Sequence, residues 1–191
     1  MTEAAPRTLA ALGVTRPTFL PLAPICVLLG IAVAAPEGTF PWLLTLIAFT
    51  AATAAHAAVN AFNEYADFHS GLDLTTERTP FSGGSGTLVV HPHLLQQARL
   101  IAWLCTAIVL AAGAWMLYHS DWGLLPFGAV GLTTLLFYSG AISRHRSLVL
   151  IAPGLGFGVP MVGGVSYLLS GSVNDASLWM SLLVFFLVNN L

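Results

Sequence analysis

Charge is scarce in this sequence. Asp, Glu, Lys and Arg together make up 7% of its 191 residues, whereas a soluble globular domain carries about 25% charged residues. Hydrophobic residues make up 57% of the chain. A chain with so little polar surface cannot be wetted on every side, and this excludes an ordinary soluble domain.

Lysine is absent, and cysteine occurs only at Cys26 and Cys105. Both cysteines fall inside apolar runs, where a cysteine usually serves as a small apolar core residue. A zinc site would need more cysteines or closely grouped histidines, so we expect neither a disulfide nor a zinc site. The start of the chain also lacks the basic region, short apolar run and cleavage site of a signal peptide. The first apolar segment is therefore expected to be a retained helix.

Long apolar runs are what the sequence does contain. Six segments approach the roughly 20 residues that a helix needs to cross a bilayer. Their approximate ranges are 19–35, 40–62, 98–117, 124–138, 147–169 and 175–191, and the second helix is expected to continue to about Asp67. The alternating segments of ~10 residues that are typical of a membrane β-barrel are not visible. The sequence predicts an all-α fold, a polytopic transmembrane bundle of six helices.

The arginines predict the orientation of this bundle. With six helices, all six arginines fall on one side of the membrane: Arg7, Arg16, Arg78, Arg99, Arg144 and Arg146. The positive-inside rule makes that side cytoplasmic. We expect a cytoplasmic tail over residues 1–16, a transmembrane domain over 17–191 with a cytoplasmic functional loop at about 68–97, and insertion in a bacterial inner membrane.

The second apolar segment carries a polar stripe. His56, Asn60, Asn63, Glu64 and Asp67 recur every three or four residues and so share one helical face. Such a face is costly in lipid and is expected to line a bundle interior or a wet cavity. A single aspartate at a helix end is more usually an interfacial residue, and a lone histidine such as His56 is more usually a hydrogen-bonded interior residue. Several oxygen ligands at this spacing favour a binding site instead.

The acidic end of the stripe predicts a metal–phosphate site. Asn63 and Asp67 project together, and Asp73 follows Gly71, which allows the chain to turn back. These oxygen ligands suit Mg²⁺, which binds one or two carboxylates together with substrate phosphates. Arg78 is placed to clamp an anion. The glycine-rich stretch that follows supplies backbone N–H groups suited to phosphate, and its residues are Ser82, Gly83, Gly84 and Ser85.

These residues carry a resemblance to a known family. "NEYADFHSGLD" and "ERTPFSGGSGTL" resemble the first aspartate-rich motif of the UbiA superfamily of intramembrane prenyltransferases. The step of six from Asp67 to Asp73, with the glycines after it, is similar to the 1,4-dihydroxy-2-naphthoate prenyltransferase (MenA-type) branch. "YSGAISRHRSL" and "GLGFGVPMVGGVSYLLSG" resemble the middle helices of that branch, and "LVNNL" resembles the approach to the second aspartate-rich motif. Because the family has about nine helices, the resemblance implies the N-terminal two-thirds of that fold, truncated at its C-terminal end.

The resemblance also implies an activity. It is the Mg²⁺-dependent transfer of a polyprenyl group from a prenyl diphosphate to an aromatic acceptor, a quinone precursor such as 1,4-dihydroxy-2-naphthoate, in menaquinone or related prenylquinone biosynthesis. Asn63, Asp67 and Asp73 would bind the metal, and Arg78 would clamp the diphosphate. The further substrate-binding residues implied are Asn60, Glu64, Ser82, Gly83, Gly84, Ser85, Tyr138, Arg144, Asn189 and Asn190. Phe62, Phe68 and Tyr138 are candidates to stabilise an allylic cation.

The second half of the metal site would begin at Asn189 and Asn190, so we expect the 191-residue chain by itself to be inactive. One alternative is a catalytically dead remnant or assembly partner, and another is a small cation-binding membrane transporter. A transporter would place its carboxylates near the membrane midplane, whereas these carboxylates cluster at the cytoplasmic end. Membrane lipid is the expected surrounding and no nucleic-acid partner is expected. The residues indicate no particular oligomeric state.

Overall fold

A computed structural model describes residues 7–34, 40–75 and 84–190. Over these ranges the chain is helical and contains no strand, which confirms the predicted fold class. The six apolar helices are α1 (Leu22–Ala34), α2 (Trp42–Ser70), α3 (Leu95–Tyr118), α4 (Leu125–Phe137), α5 (Arg146–Ser170) and α6 (Asp175–Asn189). Shorter helices span Arg7–Leu12, Leu72–Thr75 and Thr87–Val90.

The six helices differ in length. Helices α2 and α5, and α3 counted from Pro92, are long and apolar enough to cross a membrane, whereas α1, α4 and α6 are apolar but shorter. Helix α6 has 15 residues, about 22 Å at 1.5 Å per residue, against a hydrocarbon core of about 30 Å. Large apolar side chains such as Leu43, Leu150 and Leu187 are mostly exposed on the outside of the bundle. This surface is suited to lipid, and the chain is an all-α membrane bundle.

Proline and glycine mark the helix ends. The chain turns over residues 17–21 and α1 begins at Leu22, with Pro24 in its first turn, where a missing backbone N–H costs little. Gly71 ends α2 in the left-handed conformation with φ of 79°, the usual conformation for a glycine at a helix end. The chain therefore turns after α2, as Gly71 predicts.

The region predicted as a loop at about 68–97 is largely helical where the structure describes it. Helix α2 continues to Ser70, and α3 begins at Leu95 after the turn Pro92–Leu94. Leu88 and Leu94 are fully buried in a small core with Val14, Ala61 and Ala98. In this core, the segment before α1 and the segment before α3 both pack against the C-terminal part of α2.

Helix α5 is the packing centre of the bundle. Its middle stretch, Phe157–Gly164, is π-helical, a wider winding that is common at functional sites. Small residues let neighbouring helices approach it: a Cβ at Gly158 would lie 2.5 Å from the Ser181 carbonyl oxygen on α6, and a Cβ at Gly30 on α1 would lie 2.7 Å from the Val162 carbonyl oxygen. Close contact through glycine is a common way for membrane helices to associate.

Hydrogen bonds between helices define the two ends of the bundle. At one end, Asn174 Nδ2 before α6 donates to the Val33 carbonyl oxygen in α1 at 3.0 Å, and Tyr167 Oη in α5 donates to Asp121 Oδ1 before α4 at 2.7 Å. At the other end, Asn60 Nδ2 in α2 donates to the Thr15 carbonyl oxygen at 2.9 Å. Neighbouring helices therefore alternate in direction, and the polar end of α2 lies at the end where the chain enters α1.

Candidate functional site: a polar mouth on an apolar cavity

A cavity of about 720 Å³ lies between α2, α3, α4 and α5. This volume falls in the usual range for small-molecule sites. Along α2 its wall runs from Ala48 to Asn63, about 22 Å of helix. Most of the wall is apolar. Its polar side chains include Arg16, Asn60, Asn63 and Tyr138, which lie together at one end, and His56, one turn deeper on α2.

Three elements supply this polar end, here called the mouth. Asn60 and Asn63 come from the last turns of α2, Tyr138 follows α4, and Arg16 precedes α1. Burial raises the pKa of Tyr138, while the positive charge of Arg16 lowers it and the carboxylate of Asp67 raises it. These two opposite charges therefore act on the phenol from nearby.

Asn63 of the mouth and Asp67 beside it form an oxygen-rich pair. They lie one turn apart on α2, and Asn63 Nδ2 donates to Asp67 Oδ2 at 2.8 Å. No described residue donates a hydrogen bond to the other side-chain oxygen of either residue. The pair thus offers one amide oxygen and one carboxylate oxygen, which are the donor types that Mg²⁺ takes from a protein when a phosphate completes its coordination.

Arg16 belongs to the mouth although the sequence analysis assigned it only to orientation. Its side chain is 22% exposed, and its Nη2 donates to Glu64 Oε2 at 3.4 Å. Its buried Nε has no hydrogen-bond partner among the described residues. The Arg16 backbone has a φ of 52°, in the left-handed region, a conformation that costs a non-glycine residue roughly 1–3 kcal/mol. The only signal in the sequence is a cation just before the prolines that open α1.

Glu64 is fully buried and its carboxylate is bound by the protein itself. Ser85 Oγ donates to Oε1 at 2.5 Å, and Ser85 N donates to Oε2 at 3.0 Å beside Arg16. The structure places Glu64 and Ser85 behind the cavity wall, where they join the segment before α3 to α2. The Ser85 N–H, which the sequence analysis assigned to phosphate, is bonded to Glu64.

Asp73 lies beside the same junction. It is buried in the short helix Leu72–Thr75. Gly84, with φ of 73°, packs against the carboxylates of Asp73 and Glu64. A Cβ at Gly84 would lie 3.1 Å from Asp73 Oδ1 and 3.3 Å from Glu64 Oε2. Within residues 7–34, 40–75 and 84–190 no group of three or more His, Cys, Asp or Glu side chains is arranged to hold a metal ion. The described residues thus form a partial ligand set rather than a closed cage.

Other residues assigned from the sequence lie away from the cavity wall. Arg144 is exposed in the turn Ile142–Arg144. Asn189 Oδ1 accepts a hydrogen bond from Gly154 N at 2.7 Å, and Asn190 Nδ2 donates to the Phe186 carbonyl oxygen at 2.6 Å. Arg78, Ser82 and Gly83 lie outside the described residues.

The aromatic residues at the cavity are only partly those expected. Tyr138 lines it, but Phe62 and Phe68 pack against the small core beside α3. Phe127 from α4 and Phe157 from α5 line the cavity instead. Their positions depend on how α4 and α5 pack, which no motif in the sequence reveals.

His56 is interior, as expected, but none of the described residues is hydrogen-bonded to its ring. Its side chain is 9% exposed and its ring packs edge-on against Phe157, with centroids 4.9 Å apart. Its buried Nδ1 has no hydrogen-bond partner in the part of the chain that the structure describes. A polar ring without a partner therefore lines the apolar part of the cavity.

Comparison with family models gives one match, to the UbiA prenyltransferase family, over residues 23–190. Comparisons with curated proteins and with solved structures give no match. The matched range contains all of α2 to α6 and most of α1, and with them nearly the whole wall of the cavity.

Proposed function

The chain belongs to the UbiA prenyltransferase family, and from this premise we propose that its cavity binds a polyprenyl diphosphate and an aromatic acceptor for Mg²⁺-dependent transfer of the prenyl group. Family membership by itself supports prenyl transfer to aromatic acceptors in general. The observation that carries the proposal is the division of one cavity into a polar mouth and a long apolar wall. A prenyl diphosphate is divided in the same way, into an anionic head and an apolar tail.

The mouth suits the diphosphate head. Mg²⁺, when bound, would neutralise the negative charge that develops on the leaving diphosphate. Asn63, Asp67 and Asp73 are the residues that we propose to hold it. Arg16 adds a cation that lines the mouth, and charge-assisted hydrogen bonds from arginine to phosphate are strong. Arg78 is proposed to act as a second arginine clamp.

The apolar wall suits the reaction that follows. When the bond between the prenyl carbon and the diphosphate oxygen breaks, the electron pair leaves with the diphosphate and an allylic cation remains. The acceptor ring then forms a carbon–carbon bond to this cation and loses a proton. The cation must be shielded from water, and aromatic faces stabilise it. Tyr138 lines the cavity at the mouth and Phe157 lines it beside His56, so these two rings are placed nearest to the cation. Phe127 lies toward the far end, beside Tyr167.

The acceptor is proposed from the motif. The step of six residues from Asp67 to Asp73 is similar to the MenA-type branch, so we assign a quinone precursor such as 1,4-dihydroxy-2-naphthoate and a place in menaquinone or related prenylquinone biosynthesis. We further propose that the mouth faces the cytoplasm across a bacterial inner membrane. Asp67 lies beside the mouth of the cavity, bonded to Asn63, rather than at mid-depth, and this argues against the cation-transporter alternative.

The proposal is tested by binding, because binding measures recognition of the metal and the diphosphate separately from the later chemical steps. Purified protein in lipid nanodiscs is titrated with farnesyl diphosphate with and without Mg²⁺. We expect Asp67→Asn to weaken Mg²⁺-dependent binding about tenfold or more, since it removes the charge of a proposed ligand. The control is Asp175→Asn, which changes an exposed aspartate at the opposite end of the bundle.

Equal binding with and without Mg²⁺, in both wild type and Asp67→Asn, would refute the proposed metal site. Divalent-ion flux through the reconstituted protein without any diphosphate would instead favour the transporter. Prenylation of 1,4-dihydroxy-2-naphthoate is then assayed with the same protein, farnesyl diphosphate and Mg²⁺.

A further inference from the structure

Two glycines in the cavity wall have no packing reason to be glycine. They are Gly113 on α3 and Gly128 on α4, and a Cβ built on either would meet no atom outside its own helix turn within 4 Å. Other glycines of the same wall differ: a Cβ at Gly131 would lie 3.3 Å from Pro160, and one at Gly164 would lie 3.0 Å from Phe127. Neither Gly113 nor Gly128 has a positive φ, so backbone conformation does not require glycine there.

A glycine inside a helix costs about 1 kcal/mol relative to alanine. At Gly113 and Gly128 this cost is offset neither by close helix packing nor by a special backbone conformation. What the two positions have in common is that they line the cavity and have open space beside them, with Gly113 half-buried and Gly128 exposed. The missing side chains therefore contribute cavity volume.

Both glycines lie far from the mouth. Gly113 is in the half of α3 that leads to Tyr118, and Gly128 is in the first turn of α4. These helix ends lie at the end of the bundle where Asp121 bonds Tyr167, opposite the end that holds Arg16 and Asn63. A ligand with its anionic head at the mouth would extend its tail toward these two positions.

We infer that Gly113 and Gly128 set the length of the prenyl chain that the cavity accepts, by keeping its far end open. The inference rests on the proposed function. A leucine at either position occupies space that the terminal isoprene units of a long chain would take, while the head and the first units are untouched. A short prenyl diphosphate would end before it reaches the new side chain.

The test measures binding as a function of chain length. Wild type, Gly113→Leu and Gly128→Leu in nanodiscs with Mg²⁺ are titrated with inorganic pyrophosphate and with geranyl, farnesyl and geranylgeranyl diphosphates. We expect each variant to bind geranylgeranyl diphosphate about tenfold more weakly than wild type, with the affinities for pyrophosphate and geranyl diphosphate unchanged. The matched control is Gly140→Leu, an exposed glycine outside the cavity whose Cβ also meets nothing within 4 Å.

The outcomes separate the inference from the proposed function. If the wild type binds prenyl diphosphates but both leucine variants keep its chain-length dependence, or weaken every ligand equally, the two glycines do not set length. If wild type binds no prenyl diphosphate, the proposed function fails and the inference fails with it. Gly113→Ala, which adds one methyl group to open space, guards against misfolding: it should unfold no earlier than wild type and weaken only the longest chain, by less than leucine does.

Discussion

At the scale of single residues, Glu64 shows how one buried carboxylate can join three parts of the chain: α2, the segment before α1 and the segment before α3. Its carboxylate accepts hydrogen bonds from Ser85 N, Ser85 Oγ and Arg16 Nη2. Buried charge is tolerated when it is paired and hydrogen-bonded in this way. Glu64 thereby holds the Arg16 side chain beside the cavity. We regard it as a positioning residue.

His56 is the residue that most clearly lowers the stability of the folded state. A buried polar atom without a partner costs about 1–3 kcal/mol, and Nδ1 of His56 is such an atom within the described chain. We expect His56→Phe to raise the unfolding temperature by several degrees, because phenylalanine keeps the edge-on contact with Phe157 and removes the unpaired nitrogen. Thermal unfolding in detergent measures this.

The control for His56→Phe is His56→Gln, which keeps a polar group at the same depth and should not stabilise the protein. An unfolding temperature below that of wild type for His56→Phe would contradict the prediction, since it would mean that the ring nitrogens stabilise the folded state.

At the scale of elements, the connection between α3 and α4 is tied to α5 by a single carboxylate. Asp121 Oδ1 accepts from Tyr167 Oη and from Gly123 N, each at 2.7 Å. The hydrogen bond from Tyr167 first, and that from the Gly123 N–H second, lower the pKa of Asp121 below its ordinary value. A lowered pKa in the folded state means that the carboxylate stabilises the fold above its unfolded pKa and loses that effect as the pH falls through its folded pKa.

The hydrogen bond from Tyr167 to Asp121 predicts that a small part of the free energy of unfolding is lost at acid pH. We expect wild type to lose more stability than Tyr167→Phe as the pH falls below about 4, because the variant lacks the hydrogen bond that contributes most to the lowered pKa of Asp121. Unfolding temperatures of the two proteins, compared at pH 7 and over the acid range, measure the difference. Parallel pH profiles for wild type and Tyr167→Phe would show that the hydrogen bond does not form in the membrane protein.

At the scale of the whole molecule, the two ends differ in chemistry. Strongly exposed aromatic residues, among them Trp42, Tyr118, Trp122 and Trp179, lie near the end that holds the Asp121–Tyr167 bond. Tryptophan and tyrosine favour the membrane–water interface, so these residues indicate one interface. Arg16, Arg99, Arg144 and Arg146 lie near the opposite end, where the mouth is. The bundle thus has an aromatic end and a basic end.

The orientation is testable by labelling. In a variant without Cys26 and Cys105, we expect a membrane-impermeant maleimide applied to intact cells to label Ser172→Cys at the aromatic end and not Ser143→Cys at the basic end. Both serines are exposed, and the basic end is expected to face the cytoplasm. Permeabilised cells, in which both positions should react, provide the control. The reverse pattern would place the mouth outside the cytoplasm and refute the proposed orientation.

Much of the fold follows from the sequence alone because its signals are local. Apolar runs predicted six helices close to their observed positions, and Gly71 predicted the turn after α2. The three- and four-residue spacing placed Asn60 and Asn63 on the cavity face of α2. Hydropathy, helical period and the residues that favour turns are each local patterns of a few residues, so they can be recognised in a single sequence.

Only the tertiary structure decided which distant residues meet. Arg16 and Glu64 are 48 positions apart, and no local rule relates them. The same holds for the bond between Glu64 and Ser85, for the unpaired nitrogen of His56 and for the open space beside Gly113 and Gly128. Each depends on how whole helices pack, because the distance between two side chains on different helices is set by the sum of all contacts in the bundle rather than by the residues around either one.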